Sequence, residues 1–254
     1  MHVLFADETN TEPTRHVEFF IYGGVILSAD QIVEVHKGIR RIRQQLGLRH
    51  TEPLKFSGSP KRITAEEHRE GKRAVLELLG HCGARFLAYC VHHRITGPSI
   101  ARRNEYSLNT VLWGFHHFLA VEGEHGLAVL DRLRPEERLV VGRLNSEGLE
   151  MSDGRKVPMP RLVGIATAHI EWNHCLSACD VLLGAFRYCV NKPDTGAARE
   201  MFPRVADLLW YKDGTDPRVV REYGLLLRPK AVKAADIKAR YDALVASFQQ
   251  LSVE

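Results

Sequence analysis

The sequence lacks the signatures of secreted and membrane proteins. Its N-terminus has no basic start followed by a long apolar segment, so no signal peptide is predicted. It has no run of about 18 apolar residues, so no membrane span is predicted either. The five cysteines form an odd number without any CxxC pair, which argues against a disulfide framework. We therefore expect a reducing, cytoplasmic location.

A structural zinc site is not indicated either. Cys175 and Cys179 are four residues apart and could share a helix face, with His174 nearby. A structural zinc site takes four ligands at defined spacing, and no fourth ligand stands out. Burial of the two thiols is therefore the favoured interpretation.

Several catalytic signatures are also missing. The sequence contains no GxSxG motif, no Walker loop and no GxGxxG motif, so nothing indicates a serine hydrolase, a P-loop enzyme or a dinucleotide-binding enzyme. Lys and Arg number 35 against 31 Asp and Glu, which gives a formal net charge of +4. This mildly basic balance permits contact with nucleic acid without requiring it.

The order of predicted elements indicates an α/β fold. Strands are predicted at 2–6, 18–27, 84–93, 126–130, 162–170 and, as a short apolar piece, 223–227. Helices are predicted from Ser28 or Asp30 to Leu46 and at 64–82, 99–121, 135–147, 173–190, 197–210 and 233–251. The first two strands are predicted to form a hairpin, and later strands alternate with helices. The pattern predicts one domain, residues 1–254, with a mixed sheet flanked by helices.

Two aspartates occupy equivalent positions after apolar strands. The opening stretch HVLFADETN runs from a strand into Asp7 and Glu8, and GLAVL leads into Asp131. In open α/β sheets, ligand sites collect at the C-terminal ends of the strands. A turn, or a helix cap at Asp131, explains the same residues without any ligand.

Asp180 lies on a predicted helix, HCLSACDVLLGAFRYCV, that is apolar almost all round. Such a helix is expected to be buried. An ionised carboxylate there costs several kcal/mol unless it is paired or bound to a metal. A salt bridge to Arg187 or a buried hydrogen bond is the alternative. Gly184, one turn later, leaves space beside the carboxylate.

Three segments together resemble domain-of-unknown-function family 3800. They are FADETN followed by FFIYGGVIL, then LKFS, then LSACDVLLGAFRYCVN, and their order and separations match across nearly the whole chain. The resemblance implies a ribonuclease H-like fold in which Asp7, Asp131 and Asp180 form an acidic metal cluster, with Glu8 beside it.

The chain departs from that family at several positions. Members often carry Glu two residues before the residue matching Lys55, whereas this chain has Pro53 there and Glu52 one position away. Ser177 stands where members often have Gln. His169 and Ile170 stand where they often have an Asp-Ser pair. His169 could ligate a metal, act as a general base or be structural.

These residues favour phosphodiester chemistry. Carboxylate oxygens suit Mg²⁺ or Mn²⁺. Two such ions about 4 Å apart stabilise both the attacking and the leaving oxygen of a phosphodiester. Asp7 would be the shared ligand, flanked by Asp131 and Asp180. Glu8 points to the opposite face if the strand continues, and Lys55 could hold a phosphate or balance charge.

The hypothesis is therefore a nuclease acting on DNA or RNA. The alternatives are a non-catalytic nucleic-acid-binding or scaffold protein, and another phosphoryl-transfer or hydrolytic enzyme that uses the same acidic cluster. Basic residues that could follow a nucleic-acid backbone, or simply form solvated faces, are Arg40, Arg41, Arg43, Lys61, Arg62, Arg102 and Arg103. The sequence leaves the oligomeric state open.

Overall fold

A computed structural model describes residues 1–9, 17–96, 99–132, 138, 141–144, 147–150 and 154–249. Its strands are β1 (His2–Thr9), β2 (Phe19–Ser28), β3 (Arg85–His92), β4 (Gly126–Asp131), β5 (Leu149–Glu150), β6 (Lys156–Val157), β7 (Leu162–Ala168) and β8 (Leu225–Leu227). Its longer helices are α1 (Ala29–Gln45), α2 (Ala65–His81), α3 (Ile100–Val121), α4 (His174–Asn191), α5 (Gly196–Leu208) and α6 (Ala235–Gln249). A short 3₁₀ helix covers His93–Ile95.

Six strands form one mixed sheet in the order β7-β4-β1-β2-β3-β8. β2 runs antiparallel to β1 and β3, while the β1–β4, β4–β7 and β3–β8 pairs are parallel. The predicted hairpin is confirmed, with His2 opposite Ser28 and Thr9 opposite Ile21. The small β5–β6 pair was not predicted. A mixed sheet flanked by helices is thus the observed architecture.

Different helices cover the two faces of the sheet. Val3 and Phe5 belong to a buried cluster that also contains side chains from α1, α2, α4, α5 and α6. Leu4 and Ala6 belong to a second cluster, which α3 supplies. Because successive strand residues point to opposite faces, the odd-numbered residues of β1 face the α4 side.

The first strand is longer than the sequence predicts. It continues through Thr9, and Asp7 and Glu8 pair with Gly23 and Tyr22 of β2. The turn interpretation of Asp7 and Glu8 is therefore wrong. Backbone pairing with β2 keeps both residues extended even though aspartate favours turns.

Side-chain caps set the starts of the helices that frame the site. Ser28 and Thr64 form capping boxes at α1 and α2, and Asn173 accepts hydrogen bonds from the first turn of α4. The helix predicted at 135–147 lies largely outside the described residues, although residues 141–144 are helical. None of the described helices has the combination of length and apolarity needed to cross a bilayer.

Candidate functional site

Asp7 and Asp131 are neighbours on adjacent parallel strands. Ala6 of β1 pairs with Leu130 of β4, so the next position on each strand carries an aspartate. Adjacent strands lie about 4.8 Å apart. Asp7 shares its face with Val3 and Phe5, and Asp131 shares its face with Val129, a member of the same cluster. Both aspartates therefore lie on the face covered by α4.

Asp180 approaches the same region from α4, which packs across β1 and β2. Its neighbours Cys179 and Val181 are fully buried, as the apolar helix predicts. Its Oδ2 accepts a hydrogen bond of 2.6 Å from the backbone N–H of Phe56. The buried hydrogen bond that sequence analysis offered as an alternative is thus present.

Burial and neighbouring negative charges disfavour the ionised form of the Asp7 carboxyl group. The pKa of Asp7 is raised well above its ordinary value by burial, then by the charge of Glu8, and further by Asp131 and Asp180. The Glu8 N–H donates to Asp7 Oδ1 over 2.8 Å and acts in the opposite direction. Carboxylates from β1, β4 and α4 are therefore within electrostatic range of Asp7.

Asp180 also has positive neighbours. Burial raises its pKa, whereas the Phe56 N–H and the charges of Lys55 and Arg187 act to lower it. Arg187 donates to Thr9 Oγ1 at the end of β1 and to Ser57 Oγ, each over 3.2 Å. The charge of Arg187 therefore acts on Asp180, and Arg187 also joins β1 to the segment containing Ser57.

The LKFS segment, residues 54–57, docks along one stripe of α4. Ser177 Oγ donates to the Leu54 carbonyl over 2.7 Å. Phe56 binds Asp180 through its N–H, and its side chain covers Gly184, where an added Cβ would lie 2.2 Å from Phe56 Cγ. Residues three and four apart on a helix share a face, which explains this spacing. The docking brings Lys55 close to Asp180.

Ser177→Ala is expected to lower the free energy of unfolding by about 1–3 kcal/mol, because it leaves the buried Leu54 carbonyl without its donor. Urea denaturation measures this change. Ser247 makes a similar bond to Leu244 on partly exposed α6, so Ser247→Ala should change stability by less than about 0.5 kcal/mol. Equal effects of the two substitutions would contradict the docking role of Ser177.

Other predicted site residues lie outside this cluster. Strand alternation places Glu8 on the face of Leu4 and Ala6, although its charge still acts on Asp7. Glu52 accepts hydrogen bonds from the Arg62 guanidinium and the Arg49 N–H. These bonds lower the pKa of Glu52 to about 2. Glu52 is thus committed to a surface ion pair.

His169 lies in the turn after β7, next to Asp131. It contacts the Arg132 guanidinium, and its ring packs at a tilt of 38° against Trp172, with 5.1 Å between ring centroids. The following N–H, of Ile170, donates to Asp131 Oδ1 over 3.3 Å. His169 therefore has a structural environment within the turn that positions Asp131.

Sequence analysis missed Trp172, whose only sequence signal is a lone tryptophan in the polar turn that follows a strand.

Two residues from the predicted basic set are buried. Arg43 is 7% exposed and donates to the carbonyls of Arg49, His50 and Glu52. Arg103 is 8% exposed, with its guanidinium 4.6 Å from the Phe20 ring centre. The prediction that these two arginines form a solvated or backbone-binding face is wrong, since both are packed into the protein.

The cysteine region does not resemble a zinc site. Cys175 and Cys179 are buried free thiols, and burial raises the pKa of Cys175 to about 12. His174 Nδ1 lies 3.2 Å from the Arg43 guanidinium. Its pKa is lowered to about 4 by burial and by nearby positive charge. The described contacts of the His174 ring are with Arg43 and His36.

The donor chemistry of the aspartates suits a hard divalent cation. Asp7, Asp131 and Asp180 offer only oxygen ligands, and two positive charges would relieve the repulsion at Asp7. Within the described part of the chain, no three His, Cys, Asp or Glu side chains already surround one point closely enough to hold a metal. An ion held by all three carboxylates at once would therefore require them to move closer together, whereas one or two carboxylates suffice for an ion that keeps its water ligands.

Comparison with known proteins adds no relative. No family model matches the chain, and no curated protein is significantly similar to it in sequence. The resemblance to domain-of-unknown-function family 3800 stays a prediction.

Proposed function

We propose that this chain is a metal-dependent nuclease that hydrolyses phosphodiester bonds, using Mg²⁺ or Mn²⁺ at Asp7, Asp131 and Asp180. The observation that carries the proposal is that Asp7 and Asp131 are neighbours on adjacent parallel strands, on the sheet face that α4 covers. Burial and then the charge of Glu8 contribute most to the raised pKa of Asp7, and Asp131 and Asp180 raise it further. Mutually repelling oxygen donors are suited to a site completed by a divalent cation.

A ribonuclease H-like fold is part of the same proposal. Support comes from a mixed sheet that begins with an antiparallel hairpin and places β4 and β7 parallel to β1 on its other side. Further support comes from the aspartates near the C-terminal ends of β1 and β4, where ligands of α/β sheets collect.

Each residue has a distinct role in this proposal. Asp7, Asp131 and Asp180 would hold the ions, which stabilise the attacking and leaving oxygens of a phosphodiester. The Phe56 N–H fixes the orientation of Asp180. Lys55, whose charge already acts on Asp180, would attract a substrate phosphate. Glu8 contributes through its charge on Asp7 rather than as a ligand.

A non-catalytic nucleic-acid-binding or scaffold protein is the second candidate. It is favoured by the lack of a ready metal-binding group among the described residues and by the existing partners of Asp180. In that case the carboxylates would serve as structural groups only. Divalent-metal binding separates the two candidates.

The proposal is tested by cleavage of labelled single- and double-stranded DNA and RNA with Mg²⁺, Mn²⁺ or EDTA. Loss of a residue that only orients a metal ligand typically reduces activity about 10- to 100-fold. Asp180→Asn is expected to reduce cleavage by more than this, because it removes the charge of a ligand itself. Mn²⁺ should raise the melting temperature of the wild type more than that of Asp180→Asn. Asp213→Asn, at an exposed position, is the matched control.

Two outcomes would contradict the proposal. Cleavage that persists undiminished in Asp180→Asn would come from a contaminant or a different site. Absence of cleavage of every substrate, together with no Mn²⁺ binding by calorimetry, would favour the non-catalytic alternative.

A further inference from the structure

An open depression with a volume of about 950 Å³ lies at the C-terminal ends of β4 and β7. Its lining includes Arg132, Arg138, Thr167, His169, Trp172 and Asn173. Arg132 directly follows Asp131, and the backbone N–H of Ile170, which follows His169 in the chain, donates a hydrogen bond to the Asp131 carboxylate. The depression therefore lies next to Asp131, one of the three aspartates of the candidate site.

Trp172 presents a bare aromatic surface on a fixed turn. It is 80% exposed, far more than Trp210, which is 3% exposed. The backbone N–H groups of Trp172 and Asn173 both donate to the His169 carbonyl, over 2.9 and 3.1 Å. Asn173 then caps α4, and the indole leans on the His169 ring. The turn thus holds the indole in place while most of its surface faces solvent.

Positive charge flanks this aromatic surface. Arg132 has a φ of 29°, an unfavourable conformation for a residue with a side chain, and its guanidinium contacts His169. Arg138 is exposed and also lines the depression. The carboxylate of Glu171 lies 3.5 Å from His169 Nδ1, and that of Asp131 accepts a hydrogen bond from the Ile170 N–H. Among the described residues, two arginines therefore line the depression beside Trp172, with two carboxylates nearby.

We infer that this depression binds an unpaired nucleotide segment, with a base stacked on Trp172 and backbone phosphates contacting Arg132 and Arg138. Every base has a π-face, so an exposed indole stacks bases with little sequence preference. A base inside a duplex cannot reach such a surface, whereas one in a single strand can. The inference rests on the proposed function and makes single-stranded nucleic acid the substrate class.

The test measures binding of a fluorescein-labelled 12-nucleotide oligo-dT, its duplex and an abasic strand of equal length, all in EDTA so that no cleavage occurs. Trp172→Ala is expected to weaken oligo-dT binding about 5- to 150-fold. Trp172→Phe keeps a stacking ring and should stay within about 3-fold of the wild type. Abasic strand and duplex should bind wild type and Trp172→Ala equally.

The arginine contacts are tested by the salt dependence of the same binding. Arg138→Gln should lower the slope of log K against log salt by about 0.7, the value for one phosphate contact on a single strand. Arg199→Gln is the matched control, because Arg199 is exposed on α5 and does not line the depression. An unchanged slope in Arg138→Gln would overturn the phosphate contact.

The outcomes separate this inference from the nuclease proposal. If Trp172→Ala binds oligo-dT as tightly as the wild type, or if the wild type binds no strand, the stacking site is wrong even where cleavage is observed. If binding depends on Trp172 but no metal supports cleavage, the stacking site stands and the nuclease proposal fails. A Trp172 surface that captures only a protein partner would also overturn the inference.

Discussion

Asp7→Asn is expected to abolish metal-dependent cleavage and, without metal, to raise the free energy of unfolding at neutral pH. Burial and the charges of Glu8, Asp131 and Asp180 all disfavour the ionised Asp7 carboxylate. Asparagine has nearly the same shape and no charge, so it removes this repulsion. The same change removes the ligand expected to be shared between the ions, so the gain in stability accompanies a loss of function.

The pH dependence of this stability difference follows from the raised pKa of Asp7. A carboxyl group with a higher pKa in the folded than in the unfolded protein binds more protons when folded. Protonation of Asp7 therefore stabilises the folded protein at low pH. This contribution falls as the pH rises from the unfolded-state pKa to the folded-state pKa of Asp7, and it returns on acidification. The advantage of Asp7→Asn should be largest at neutral pH and shrink on acidification.

Metal is expected to favour the wild type over Asp7→Asn. A ligand that binds only the folded state at 100 times its Kd stabilises it by about 2.7 kcal/mol. Mn²⁺ at that concentration should give this gain to the wild type and little or none to Asp7→Asn. Denaturation with urea, with Mn²⁺ and with EDTA, at neutral and acidic pH, measures both effects.

Glu8→Gln is the informative control, because Glu8 is adjacent in sequence but lies on the opposite face of β1. It should keep the Mn²⁺-induced stabilisation. Equal stabilisation of wild type and Asp7→Asn by Mn²⁺ would exclude Asp7 as a ligand. Loss of the effect in Glu8→Gln would instead make Glu8 a ligand.

The fold could be predicted where local chemistry determines it. Ser28, Thr64 and Asn173 are capping residues in the sequence, and each starts a helix in the structure. The end of β1 could not be predicted in this way. Asp7 favours a turn by itself, and the pairing of Asp7 and Glu8 with Gly23 and Tyr22 extends the strand.

The part of the candidate site formed by Asp7 and Asp131 could be predicted, because both residues follow apolar strands in the sequence. Asp7 and Asp131 follow similar apolar runs, and parallel pairing makes them neighbours. The bond from Phe56 to Asp180 joins residues 124 positions apart, and no local pattern indicates it. Buried Arg43 is equally hidden in the sequence, because arginine is mostly solvent-exposed unless the fold supplies partners.

The close contact between Gly184 and Phe56 determines how the LKFS segment sits on α4. A Cβ at residue 184 would lie 2.2 Å from Phe56 Cγ and 2.3 Å from Phe56 Cβ. These atoms are the root of the side chain rather than its flexible end, so the segment itself must shift. The Phe56 N–H would then leave Asp180, which it binds at 2.6 Å.

Gly184→Ala is therefore expected to lower the free energy of unfolding by about 1–3 kcal/mol, the usual cost of overpacking, even though alanine favours a helix. It should also reduce cleavage about 10- to 100-fold, as loss of a group that orients a metal ligand does.

Gly80→Ala is the matched control. No atom lies within 4 Å of an added Cβ at this position in α2, so stability should rise by up to about 1 kcal/mol. Urea denaturation gives the stabilities, and amide hydrogen exchange at Phe56 should accelerate in Gly184→Ala alone. If both substitutions stabilise the protein and Phe56 exchange is unchanged, Gly184 is not needed to seat the LKFS segment beside Asp180.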